Sequence, residues 1–126
     1  VLPNAEVAGL DISEYAVENS KEEVKPFIQV GNAAKLPYED NYFDYVYALG
    51  TIHNLYNFEL HPALQEIERV SKQSKYVMQE AYRNEREKVN MLNWQLTQHS
   101  FYSKDEWEWF FKLAGYTGDY GYIFFE

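Results

Sequence analysis

Three short strings carry the side chains able to do chemistry. Asp11 closes the run Gly9-Leu10-Asp11-Ile12-Ser13, Asn32 sits in Gly31-Asn32-Ala33, and His53 lies within Leu49-Gly50-Thr51-Ile52-His53-Asn54-Leu55. An Asp or Asn closing a short apolar strand offers side-chain acceptors that can hold an adenosine. The same residues also serve as helix caps and Asx turns, and both readings stand. An imidazole with an unperturbed pKa of about 6.5 can act as a general base, although a His opening a helix commonly only supports its neighbours. His61 and His99 fall at no ligand spacing with His53, so no metal site is expected. The chain has no cysteine, which leaves no disulfide framework and no thiol nucleophile and suits a cytoplasmic protein.

The elements that must position these residues come from a chain of 126 residues, 46% hydrophobic and 18% aromatic, enough for one domain with a core. Acidic residues outnumber basic ones 20 to 11, giving a net charge of −9, which weighs against a nucleic-acid partner. No apolar run is long enough to span a bilayer. Neither repeats nor linker-like stretches mark a domain boundary.

Val7 to Leu10 reads as a strand buried on both faces. Ser13 caps a helix with Glu14 in its first turn and Ala16, Val17 and Val24 on its apolar stripe. Pro26 ends that helix, and Phe27 to Val30 form the next strand. A loop from Asn32 to Tyr42 leads to a strand over Phe43 to Leu49. Pro62 takes the first position of a helix carrying Ala63, Leu64, Ile67 and Val70, and Tyr76 to Glu80 follow as a fourth strand. A helix is predicted from Asn84 to about Gln98 with Val89, Leu92 and Leu96 on its core face and Trp94 off that stripe. Ser103 and Glu106 form a capping box for a last helix that buries Trp107, Phe110, Phe111 and Ala114 and stops at Gly115, before a strand over Tyr122 to Phe125. Alternating strands and helices call for a parallel sheet in a three-layer α/β sandwich.

Taken in order, Asp11, Gly31-Asn32-Ala33 and the connected string Leu36-Pro37-Tyr38, Asp40, Phe43-Asp44 resemble the middle of a class I S-adenosylmethionine-dependent methyltransferase. The resemblance implies a Rossmann-like, mostly parallel sandwich and methyl transfer to a small-molecule acceptor. It places Asp11 on the ribose hydroxyls and Ile12 against the adenine. Asn32 stands where the family commonly has Asp, its amide oxygen facing the adenine amino group, and Asp is expected to be tolerated there. Ala33 would offer a backbone N–H to the ring and Leu49 main-chain contacts to the methionine portion, and His53, where the segment opens toward substrate, could act as a general base or orient a nucleophile. Residues 83–102 fall where the family inserts substrate-binding or lid elements.

The family's first strand, glycine-rich loop and first helix would lie before Val1. The resemblance therefore implies that residues 1–126 are a single partial domain, an incomplete or inactive fragment that binds S-adenosylmethionine weakly or not at all. A central strand absent between Val7–Leu10 and Phe43–Leu49 leaves two inner edges. Either these pair directly, or a strand from another molecule completes the sheet, in a homo-oligomer or with a partner. A non-catalytic methyltransferase-like interaction subunit is the alternative from another class. A nicotinamide-dependent oxidoreductase fragment is a further one, but it has no reason to carry the Leu36 to Asp44 string.

Overall fold

The computed structural model describes residues 4–126. In chain order its elements are β1 (Gly9–Asp11), α1 (Glu14–Glu18), β2 (Ile28–Val30), β3 (Phe43–Leu49), α2 (Asn57–Val70), β4 (Ser71–Glu80), α3 (Glu85–Trp94), α4 (Lys104–Ala114) and β5 (Asp119–Ile123), with 3-10 turns at Lys25–Phe27 and Ile52–Asn54. Every strand pairing is parallel, as β-α-β order dictates. The fold is α/β and Rossmann-like.

The core sits where α2 and α4 pack on β3, β4 and β5. Leu60, Leu64 and Ile67 of α2 meet Trp107, Phe111 and Ala114 of α4 over Val77, and Val46 and Ala48 of β3 pack at its margin. α4 forms as its sequence predicts: Ser103 Oγ accepts from Glu106 N, Glu106 reaches back to Ser103 N at 2.7 Å, and Gly115 closes the helix in the left-handed region at φ 70°.

Several boundaries differ from the sequence expectation. β1 starts two residues later than Val7, which is 59% exposed, so this strand is not buried on both faces. α1 ends at Glu18 although Ser13 caps it, because no residue in it is buried and a single turn without packing does not propagate. α2 begins at Asn57, not Pro62: Tyr56 N donates to Glu59 Oε2 at 3.1 Å and starts the helix earlier. Pro62 is then interior, and the Phe58 carbonyl it leaves without a partner belongs to a largely exposed residue that water can serve. β4 begins at Ser71, directly after α2, and β5 at Asp119, whose carbonyl accepts from Tyr116 OH at 2.8 Å.

α3 departs most. It ends at Trp94, and Val89, Leu92 and Leu96, expected on a core face, are exposed, Leu96 at 96%. The buried face instead carries Glu87 and Met91. Polar contacts set it: Arg83 N donates to Glu87 Oε2 at 2.8 Å and Asn90 Nδ2 to the Phe125 carbonyl at 3.0 Å.

The two inner edges do not pair directly. β1 and β2 form one sheet and β3-β4-β5 another, with no ladder joining β1 to β3 among the described residues. Polar links connect the halves. Glu66 Oε2 accepts from Leu36 N at 2.7 Å, and Arg69 donates to the Leu36 and Tyr38 carbonyls and to Asp40. Here the Leu36-Pro37-Tyr38 string acts as a strap over α2.

Candidate site at the carboxyl ends of the strands

Parallel pairing brings the ends of β1 and β2 together, with Asp11 opposite Val30 and Gly31 N donating to the Asp11 carbonyl at 2.8 Å. Asp11 Oδ1 accepts from Ser13 N at 2.8 Å, which folds the chain into α1, while no protein donor reaches Oδ2 among the described residues. Ile12 beside it is 67% exposed. Asp11 thus keeps one carboxylate oxygen open beside an exposed apolar side chain.

Asn32 does not present a free amide. Its Oδ1 accepts from Ala34 N at 2.7 Å in an Asx turn, and its Nδ2 donates to Glu59 Oε1 at 3.0 Å. The oxygen assigned to the adenine amino group thus also forms the turn, and its second lone pair stays available. Ala33, half-buried beside it, makes no side-chain hydrogen bond and keeps only its backbone to offer. Asn32 joins the β2 end to the start of α2, and Glu59 is the residue missed from sequence. The signal was Tyr56-x-x-Glu59, obscured by taking Pro62 as the helix start.

Leu49 ends β3 half-exposed, and its carbonyl accepts from Thr51 Oγ1 at 3.1 Å. Gly50 turns the chain at φ 63° and donates to the Met78 carbonyl at 2.8 Å. His53 is buried in the following 3-10 turn, not on the surface. Its Nδ1 accepts from Glu80 N at 3.2 Å, and burial lowers its pKa to about 4. At neutral pH the ring is therefore uncharged, with its lone pair engaged and its proton on Nε2. Of the two roles considered from sequence, general base or orienting a nucleophile, this tautomer suits orienting.

The segment after α3 closes over this turn. The His53 carbonyl accepts from His99 N and Ser100 N, Thr97 Oγ1 donates to Asn54 Oδ1, and Tyr56 stacks on His99 at 4.1 Å between ring centroids. Burial pushes the Glu80 carboxyl up. Both amide atoms of Gln79, Oε1 of Gln98 and Oε2 of Glu80 are buried without a protein partner. No group of three or more potential metal ligands forms among the described residues.

The fold defines a Rossmann-like α/β domain. A methyltransferase domain family matches residues 2–79, and the chain belongs to that family. It is 39% identical over 74 residues to demethylmenaquinone methyltransferase of Staphylococcus aureus strain JH9, covering 56% of this chain and 30% of the relative. It is 48% identical over 50 residues to the Bacillus cytotoxicus protein of the same name, covering 35% of this chain and 21% of that one. The chain thus spans less than a third of the length of these relatives. Among solved structures, YcgJ of Bacillus subtilis superposes with a TM-score of 0.68 at 24% identity, over 85% of this chain and 50% of that one. PH0226 of Pyrococcus horikoshii does so at 0.64 and 23%, over 87% and 62%. These likenesses show the fold.

Proposed function

We propose that this chain carries the adenosine-binding edge and the acceptor side of an S-adenosylmethionine-dependent methyltransferase acting on a small molecule in the cytoplasm. The observation that carries this reading is the pairing of Asp11 with Gly31 at one strand edge, where an open carboxylate oxygen lies next to the exposed Ile12. The cofactor would supply an activated methyl group. The chain's part is to bind and align: Asp11 holds the ribose, Ile12 covers the adenine, and the Ala33 and Leu49 backbones border the rest. Alignment dominates such a displacement, and a base is needed only when the acceptor carries a proton.

Acceptor recognition belongs to residues 83–102, whose tail lies over His53 and Asn54 and stacks His99 on Tyr56. The relatives' name, demethylmenaquinone methyltransferase, makes demethylmenaquinone the first acceptor to try. No helix among the described residues is long and apolar enough to cross a membrane.

Calorimetric titration with S-adenosylhomocysteine, on these residues and on a longer chain, tests the proposal. In the longer chain Asp11→Ala weakens binding by about 1–3 kcal/mol, the loss of hydrogen bonds to a charged group. Equal affinity in wild type and variant would leave Asp11 as a turn former alone.

A further inference from the structure

We propose that Gln79 and Gln98 form a closed subsite for a hydroxyl group of the methyl acceptor, with residues 95–99 as the lid over it. This rests on the proposed methyltransferase activity and gives a role to two residues that activity has not yet used. Gln79 is fully buried near the carboxyl end of β4, yet neither its Oε1 nor its Nε2 meets a partner among the described residues. Gln98 is buried too; its Nε2 donates to the Ser100 carbonyl at 2.7 Å, and its Oε1 has no partner. A carboxamide shut away from water without hydrogen bonds is costly, and native proteins seldom keep one without a use for it. Gln79 offers a donor and an acceptor, and Gln98 a second acceptor. A hydroxyl, which both gives and takes a hydrogen bond, answers that set better than a carbonyl, which only takes. Glu80, whose Oε2 is also unpaired, follows Gln79 on the strand and so points to the opposite face.

Both glutamines are tied to the turn that carries His53. The N–H following Gln79, that of Glu80, donates to His53 Nδ1 at 3.2 Å, and the two N–H groups following Gln98 donate to the His53 carbonyl at 3.2 and 3.1 Å. The pair therefore flanks one turn at the strand ends, Gln79 on the fixed side and Gln98 on the covering segment. Described residues already close Gln79 off completely, so whatever pairs with it arrives only by moving one of them. The segment best built to move is 95–99. Its one side-chain tie across to the His53 turn runs from Thr97 Oγ1 to Asn54 Oδ1 at 2.9 Å, and Leu96 within it is almost wholly exposed. Buried Ser100, whose Oγ donates to the Leu55 carbonyl at 2.7 Å, anchors its far end as a hinge. Lifting the lid also takes His99 off Tyr56, on which it stacks, and bares a flat aromatic face beside the opening.

Titration of the isotope-labelled 126-residue chain with phenol, and with toluene as its counterpart lacking the hydroxyl, tests this through the side-chain amide resonances of Gln79 and Gln98. No cofactor takes part, so a failure here leaves the methyltransferase reading standing, and a failure of the S-adenosylhomocysteine titration removes that reading by itself. The expected result is saturable shifts of both amides with phenol and binding about tenfold weaker for toluene, the scale of one or two hydrogen bonds. Gln79→Leu keeps the volume, removes the amide and should bind the two probes alike. Gln98→Met, on the mobile side of the site, should narrow the preference in the same direction and decides the matter if the β4 variant does not fold. Thr97→Val frees the lid from Asn54 and should raise phenol affinity about threefold by populating the open form. Equal binding of the two probes by the wild type, or no shift at either amide, overturns the proposal. A phenol preference that survives in both glutamine variants does the same, because the hydroxyl would then be read elsewhere. Unchanged affinity in Thr97→Val would overturn the lid.

Discussion

The two halves of this molecule are built on different physics. In the region from β1 to the end of the Leu36 strap no described residue is buried, while every buried residue lies between Ile52 and Tyr116. The first half holds the residues proposed for the cofactor and contributes no interior. It stays in place through polar ties to α2, namely Asn32 to Glu59, Leu36 to Glu66 and the Arg69 fan. The half carrying Asp11 therefore depends on the other for its order, and it is the half expected to open first.

The sharpest break in that contrast is Trp107→Ala. Trp107 is fully buried against α2 and donates to the Glu80 carbonyl at 3.1 Å, so its loss should cost about 3–5 kcal/mol in urea unfolding. Leu10→Ala in β1 should cost far less, and a comparable loss there would show that the first half owns a core after all.

Acid should act next most strongly, again through the second half. His53 has a folded pKa of about 4 against an ordinary 6.5, so above that ordinary value it is neutral in both states and its contribution is complete. As pH falls from 6.5 to 4 the unfolded chain takes up a proton that the folded chain refuses, and up to about 3 kcal/mol is lost. Hydrogen bonds from Arg69 hold Glu66 below the ordinary carboxylate range. Burial pushes Glu68 up, but bonds from Lys75 and Thr117 outweigh it, so both acids add to the loss at still lower pH. Melting temperature against pH should show the first fall, and His53→Gln should flatten it.

Asn32→Asp probes the seam between the halves. Asp was expected to be tolerated, but the structure sets a second carboxylate against Glu59 where Asn32 donates at 3.0 Å. A loss of about 1 kcal/mol follows, and Glu59→Gln in the same chain should recover most of it. Amide exchange in β1 and β2 should rise in the single variant and return in the double one. The smallest effect belongs to Leu96→Ser, within about 0.5 kcal/mol, because that side chain is almost wholly exposed.

Much of this was legible in the sequence where signals are local. The α4 box, its apolar face and its glycine stop need only neighbouring residues, and they formed as read. The α3 stripe was misread because Val89, Leu92 and Leu96 keep helical spacing whichever way the helix faces. Its rotation came from Arg83–Glu87 and Asn90–Phe125, contacts no periodicity reports. His53 was likewise visible as a titratable residue at a strand end, but burial and the donor from Glu80 changed its chemistry.

By itself the sequence determined the order of strands and helices, the parallel class of sheet, and the string from Asp11 through the Leu36 strap to Asp44 that marks the family, because caps, turns and short apolar runs act within a few residues. Tertiary structure alone decided that Asn32 spends its amide on Glu59, that His53 is neutral with its lone pair taken, and that β1 and β3 do not pair. Those outcomes depend on which distant groups arrive within hydrogen-bonding distance and on how much water the fold removes, and neither quantity is encoded in any local stretch of chain.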